Sequence, residues 1–152
     1  MSFHRSAAYA SRPRHLFVTL LSQTGTLICG VMNPADLFAH EENPISLAAG
    51  ETLFRAGDAA DAMYVVLDGS LNVVVGDKVV ENSKRGAILG EMALVDNGPR
   101  GATVVAAENS KLAKVDQRRF QRLIQQNPFF ATHVMKELVE RIRSMNKLLA
   151  GG

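Results

Sequence analysis

The sequence predicts a mainly β domain, an antiparallel sandwich or jelly roll, with a short helix before the strands and two helices after them. Three observations predict it. From Ile45 to Asp116 the apolar residues come in short runs punctuated by Gly50, Gly57, Gly69, Gly76, Gly86 and Gly90, the rhythm of short antiparallel strands joined by tight turns. After Val115 the apolar period lengthens to that of a helix and holds to Leu149. Ahead of the strands, Asn33-Pro34 places a capping side chain and a pre-set φ at the head of a helix, with Asp36 in its first turn.

The elements follow in order. Residues 1–31 are rich in Ser, Ala and Arg, carry no acid, and turn apolar over Leu16 to Leu21 and Thr26 to Val31. Three readings fit them: a weak secretory signal interrupted by Gln23-Thr24-Gly25, an organelle presequence, or an upstream stretch ahead of a true start at Met32. The third is favoured, and residues 1–31 are expected to be a poorly ordered extension of a domain spanning 32–152. A short helix is predicted over Pro34 to Glu42, with Ala35, Leu37 and Phe38 against the domain and Glu41 and Glu42 toward water. Strong strand runs are Met63 to Leu67 and Leu71 to Val75, joined by Asp68-Gly69-Ser70, then Lys78 to Val80 after a tight Gly76-Asp77 turn. Ala102 to Ala107 and Lys111 to Val115 complete the sheet, with Glu108-Asn109-Ser110 turning between them.

Asp116 caps a predicted helix from Gln117 to Gln126, which turns Phe120, Leu123 and Ile124 inward. Asn127-Pro128 reads as cap and first position of a longer helix, Pro128 to Leu149. Its Val134, Leu138, Ile142, Met145 and Leu149 form one stripe, widened by Met135 and Val139, enough to meet both the β domain and a second copy. Glu137 and Arg141 have the spacing of an i,i+4 pair on the exposed side.

Composition narrows the function. A chain of 152 residues holds one domain with additions, and 47% hydrophobic with 21% charged residues excludes a disordered chain. Three of the 17 basic residues precede Met32; the other fourteen face all 15 acids, so the domain offers no overall positive field to nucleic acid. Arg118, Arg119 and Arg122 read as a solvated helix face. The single cysteine, Cys29, allows no internal disulfide and suits a reducing, cytoplasmic setting. No apolar stretch approaches the ~20 residues of a membrane span. His4, His15, His40 and His133 fall outside predicted strands and share no metal-ligand spacing, and no nucleophile elbow, phosphate loop or Cys/His pair appears. No catalytic residue, metal or cofactor is expected.

The chemistry concentrates in Leu89 to Ala106, LGEMALVDNGPRGATVVA. Arg100 offers a planar, permanently charged fork that holds two phosphate oxygens at once. The small Gly101 and Ala102 let their backbone N–H groups approach an anion, as in anion-binding nests. Gly90 and Glu91 open a helical turn whose free N–H groups also favour negative charge, and the Glu91 carboxylate can accept a hydrogen bond from a sugar hydroxyl. One cassette thus provides for a phosphodiester and an adjacent ribose.

Leu89-Gly90-Glu91-Met92-Ala93-Leu94, five residues, then Arg100-Gly101-Ala102-Thr103-Val104 resembles the second signature of the cyclic nucleotide-binding domain family, which includes bacterial catabolite activators and the regulatory subunits of cyclic-AMP-dependent kinase. Leu53, Gly57-Asp58, Ala60, Met63-Tyr64-Val65-Val66 and Gly69 resemble its first signature, with Phe54 where a smaller aliphatic is usual. The resemblance covers roughly residues 44 to 148. It implies an antiparallel β jelly-roll barrel, a double-stranded β-helix, with a short N-terminal helix and two C-terminal helices.

The resemblance also implies roles. Glu91 would bind the ribose 2′-hydroxyl, Arg100 the exocyclic phosphate oxygens, and the amides of Gly90, Gly101 and Ala102 the remaining polar contacts, with Met92, Ala93 and Thr103 completing the cassette. Met63, Val73, Leu89, Ala93 and Val104 are candidate apolar neighbours of base and sugar. Arg141, Arg143 and Ser144 are candidates to cover the purine from the long helix. Threonine after the arginine goes with cyclic GMP in the family; Gly101 lacks a hydroxyl, which argues for cyclic AMP. The expected function is a non-catalytic regulatory module that senses cyclic AMP, or less readily cyclic GMP, through the cassette and a C-terminal helix that closes about Asn127-Pro128. Its partners would be the nucleotide, a protein effector that the residues do not identify, and a second copy through helix 128–149, as in the activators. No helix-turn-helix follows the long helix, so DNA contact is not expected. The alternative is a degenerate member that keeps the fold as an interaction or scaffold module without nucleotide.

Overall fold

The computed structural model describes residues 18–21, 27–30 and 32–151. Two strands, β1 (Val18–Leu21) and β2 (Leu27–Gly30), pair antiparallel as a unit of their own. The rest of the predicted extension lies outside the described residues.

In the main unit, a 3₁₀ helix at Pro34–Phe38 precedes β3 (Ile45–Leu47), β4 (Thr52–Phe54), β5 (Ala62–Asp68), β6 (Ser70–Val75), β7 (Lys78–Lys84) and β8 (Ile88–Leu89). The short helix α1 (Met92–Asp96) follows, then β9 (Thr103–Ala106), β10 (Ser110–Asp116), α2 (Gln117–Gln126) and α3 (Pro128–Ala150). The strands form two four-stranded sheets, ordered β3-β10-β5-β8 and β4-β9-β6-β7. Their antiparallel pairings nest around one tight hairpin: Val75 meets Lys78 across Gly76-Asp77, and β5–β8, β4–β9 and β3–β10 lie successively outside it. This is a long hairpin folded over itself, the jelly-roll arrangement expected. Among the described residues the two sheets remain separate hydrogen-bonded layers.

The nesting explains β5. Met63 and Val65 join Ile88, Ala113, Val115, Phe130 and Val134 in a core between one sheet and the helices. Ala62, Tyr64 and Val66 join Leu71, Leu89, Val104 and Leu112 in a second core between the sheets. A strand buried on both faces needs an unbroken apolar run, which Met63-Tyr64-Val65-Val66 supplies. Though Asp68-Gly69-Ser70 joins them directly, β5 and β6 lie in different sheets. At this crossing Gly69 has φ +83, and a Cβ there would collide with the Asn109 carbonyl and Ser110. Only glycine meets both demands.

The helical expectations hold at the caps and fail in three places. Asn33, Asp116 and Asn127 accept hydrogen bonds from Ala35, Arg119 and Phe130 N–H, as N-caps. The first helix, however, is 3₁₀ and stops at Phe38 rather than running to Glu42, because Asn43-Pro44 demands extended backbone soon after. Glu41 does not face water: its carboxylate takes a 2.6 Å salt bridge from Arg119, whose guanidinium lies 4.8 Å over the Phe38 ring. On α3, Phe130 and Val134 are buried and Leu138 half-buried, whereas Met135, Val139, Ile142, Met145 and Leu149 are exposed. Arg141 is the last α3 residue that is not exposed, and it turns toward the sheets instead of pairing with Glu137 outside.

Candidate functional site

Local chain geometry places the cassette. Leu89 ends β8, paired with Tyr64 of β5, and Gly90 at φ +75 turns the chain into α1. Ala93 and Leu94 are buried and pin α1, while Met92 points out at 58% exposure. Asn97 closes α1 in the left-handed region, and the Asp96 carboxylate accepts the Gly98 N–H at 2.8 Å. Two backbone bonds then clamp the far side: Arg100 N–H donates to the Asp58 carbonyl at 2.9 Å and Gly57 N–H to the Arg100 carbonyl at 2.8 Å. The Thr103 hydroxyl accepts the Ala56 N–H at 3.0 Å. The Gly57-Asp58 loop of the first signature therefore fixes the arginine of the second, and Thr103 serves this joint.

Two charged residues of the cassette are buried, Glu91 at 1% and Arg100 at 6% exposure, while Asp96 is exposed. Arg100 donates from Nη2 to the Ala62 carbonyl at 2.6 Å and from Nη1 to the Gly90 carbonyl at 3.2 Å. Its guanidinium stacks 4.1 Å over the Phe54 ring and lies 5.6 Å from that of Tyr64, contacts that favour a cation desolvated in this way. Phe54, the departure from the first signature, is thus the floor beneath the arginine. A Cβ at Gly90 would meet Arg100 Nη1, so this glycine serves both turn and guanidinium. Gly101 differs: a Cβ there meets nothing within 4 Å, and close packing does not demand its small size.

Glu91 Oε1 accepts a hydrogen bond from Arg141 Nη1 on α3. Arg141 also donates from Nη2 to the Ile88 carbonyl at 2.6 Å and grips Glu81 of β7 through Nε at 3.2 Å and Nη2 at 3.4 Å. The Ser83 hydroxyl donates to Glu81 Oε1 at 2.6 Å. Burial works against the charge of Arg141, but the Glu91 charge and the bonds from Glu81 and Glu91 outweigh it and hold the guanidinium more firmly protonated than usual. Burial likewise raises Glu81, yet the hydrogen bonds of Arg141 and Ser83 and the Arg141 charge leave it below the usual carboxylate range.

After these contacts, Glu91 Oε2 and Arg100 Nε are buried without a hydrogen-bond partner among the described residues. Each such group costs about 1–3 kcal/mol, so the arrangement suits a ligand that brings one hydroxyl donor and anionic acceptors. Two surface clefts, of about 470 and 500 Å³, lie around Glu41, Asn43, Arg119 and Arg122, and neither is lined by a cassette residue.

The structure brings together Leu89, Gly90, Glu91, Arg100 and Arg141 from the sequence-predicted set. Val73, Leu89 and Val104 belong to the inter-sheet core with Phe54 and Tyr64, whereas Met63 packs beneath the helices. Arg143 and Ser144 are exposed on α3. Glu81 and Ser83 were not identifiable from the sequence, since they sit in a polar strand with no motif around them. No group of three or more metal-ligating side chains occurs among the described residues, nor is any described helix long and apolar enough to cross a membrane.

Comparison with known proteins agrees with this geometry. The family described as cyclic nucleotide-binding domain matches residues 44–127. The chain is 35% identical over 107 residues to a cAMP-dependent protein kinase regulatory subunit of Blastocladiella emersonii, covering 67% of this chain and 27% of that protein. It is 33% identical over 106 residues to lysophospholipase nte1 of Aspergillus fumigatus, covering 66% of this chain and 7% of that protein. The chain therefore spans about a quarter or less of these relatives. Among solved structures, the Thermus thermophilus catabolite activator protein superposes with a TM-score of 0.63 at 25% identity, over 75% of this chain and 61% of that one. With the two signatures clamped to one another and a buried carboxylate and guanidinium at the two ends of one cassette, the chain belongs to the cyclic nucleotide-binding domain family.

Proposed function

We propose that this domain is a non-catalytic sensor that binds cyclic AMP in preference to cyclic GMP and reports it through α3. The observation that carries the reading is the pair of buried, unpartnered atoms, Glu91 Oε2 and Arg100 Nε, one at each end of a single cassette. A ribose 2′-hydroxyl donates to the first, and one phosphate oxygen accepts the N–H of the second. The kinase regulatory subunit relative is named for cyclic AMP, and Gly101 supplies no hydroxyl to a guanine. Ligand can shift the domain only by favouring one arrangement over another. It does so by satisfying these two groups while Arg141 holds α3 against the cassette, with Asn127-Pro128 as the hinge.

A thermal melt of the full chain with cyclic AMP, cyclic GMP or neither tests the reading. Ligand at ~100 times its dissociation constant adds about 2.7 kcal/mol, a shift of several degrees. The rise is expected with cyclic AMP first. No rise with either nucleotide at millimolar levels would transfer the fold to the scaffold alternative.

The exposed side of α3 supports a second copy of this chain as a partner. Met135, Val139, Ile142, Met145 and Leu149 are 44–79% exposed and recur at helical spacing along one face, the pattern of a coiled-coil seam. Sedimentation equilibrium is expected to show a dimer in the wild type and a monomer in Ile142→Glu; a wild-type monomer at high concentration would end this part of the reading.

A further inference from the structure

Glu81 lies outside both family signatures, yet it is wired to the sugar end of the cassette. Its two oxygens take the Nε and Nη2 edge of Arg141 at 3.2 and 3.4 Å, and the Ser83 hydroxyl fixes one of them at 2.6 Å. Ser83 is itself 2% exposed. With that edge of the planar fork occupied, Nη1 projects to Glu91 Oε1. Arg141 has an alternative: Glu137 lies four residues earlier on the same helix and raises no backbone obstacle to an i,i+4 pair. Glu81, the Ile88 carbonyl and Glu91 together draw the side chain to the sheets, and of the two acids Glu81 takes the Nε and Nη2 edge of the fork. Beyond Arg141 every described α3 residue is exposed, and among the described residues this clasp is the last hydrogen-bonded tie from the helix to the sheets.

We propose that Glu81 is the positioning residue of the sugar subsite: by holding Arg141 against Glu91 it orients the buried Glu91 carboxylate so that Oε2 meets the ribose 2′-hydroxyl, and it couples α3 to that contact. This rests on the nucleotide reading above. Glu81 touches no ligand itself. Its effect passes through Arg141 to Glu91 and stops at one hydroxyl, which makes it separable from a general role in folding.

The test is calorimetric titration of the full chain with cyclic AMP and with 2′-deoxy cyclic AMP, for the wild type, Glu81→Gln, Arg141→Ala and the double variant. A misoriented hydrogen bond to a charged group should weaken cyclic AMP binding by about tenfold in Glu81→Gln. The 2′-deoxy ligand should change less than about twofold, since it lacks the group that Glu91 reads. Adding Glu81→Gln to Arg141→Ala should cost nothing further. Equal losses for the two ligands, additive losses in the double variant, or unchanged cyclic AMP binding in Glu81→Gln would each overturn the proposal while leaving the nucleotide reading intact. Absence of binding by the wild type would overturn both.

Discussion

Arg100→Ala is expected to remove cyclic nucleotide binding and to loosen the cassette in the same step. The guanidinium is 6% exposed, and truncating one partner of a buried charge-assisted contact costs about 2–5 kcal/mol, roughly 30-fold to several thousand-fold in dissociation constant. Stability falls as well, because Arg100 is the donor to the carbonyl of Ala62, which is fully buried. An orphaned buried carbonyl costs about 1–3 kcal/mol. The two effects separate in Arg100→Lys. Lysine keeps the charge but loses the fork that reaches the Gly90 and Ala62 carbonyls together. It should recover part of the affinity and less of the stability. Titration calorimetry and urea unfolding on the same samples measure both. Arg100→Ala binding within threefold of the wild type would remove the arginine from the ligand site.

The largest loss of stability is expected from Phe130→Ala. Phe130 is 1% exposed in the core that joins α2, α3 and the β5–β10 face, with its ring edge-on to Phe120 at 6.3 Å and 68°. Removing a buried phenyl ring takes away its transfer free energy and leaves a cavity, together about 3–5 kcal/mol. In a domain of this size that is a fall of roughly 10–20 °C in melting temperature. Phe130 also anchors the first turn of α3, the helix that carries Arg141. Ligand affinity should therefore fall by more than in a destabilised variant of equal melting point placed away from α3. Met145→Ala is the contrast. Its side chain is 63% exposed, and in the monomer the change should stay within about 0.5 kcal/mol. Denaturant melts of the three proteins decide the ranking, and a Phe130→Ala loss below 1 kcal/mol would mean that the helical core repacks around the gap.

Much of this architecture is written in local sequence. The caps at Asn33, Asp116 and Asn127, the Gly76-Asp77 turn and the bounds of α2 each depend on a few consecutive residues, whose backbone preferences act within a turn or two. The cassette was legible for the same reason. Gly90, Glu91 and Arg100 lie within one short stretch, and the φ that Gly90 adopts is one that glycine alone accepts readily.

What tertiary structure alone decided is the set of contacts between residues distant in the chain. No local rule states that β5 pairs with β8 and β10 instead of its neighbour β6, or that the Gly57-Asp58 loop clamps Arg100, or that Phe54 lies beneath its guanidinium. Arg141 shows the physical reason most directly. Helical spacing offered it Glu137, a single carboxylate worth a few tenths of a kcal/mol on a helix surface. The folded chain offers two carboxylates and a carbonyl in a half-buried site, where hydrogen bonds to charge are stronger. Helical periodicity thus determined the face on which Arg141 stands, and the folding of β7 and β8 beneath that face determined which acids it holds.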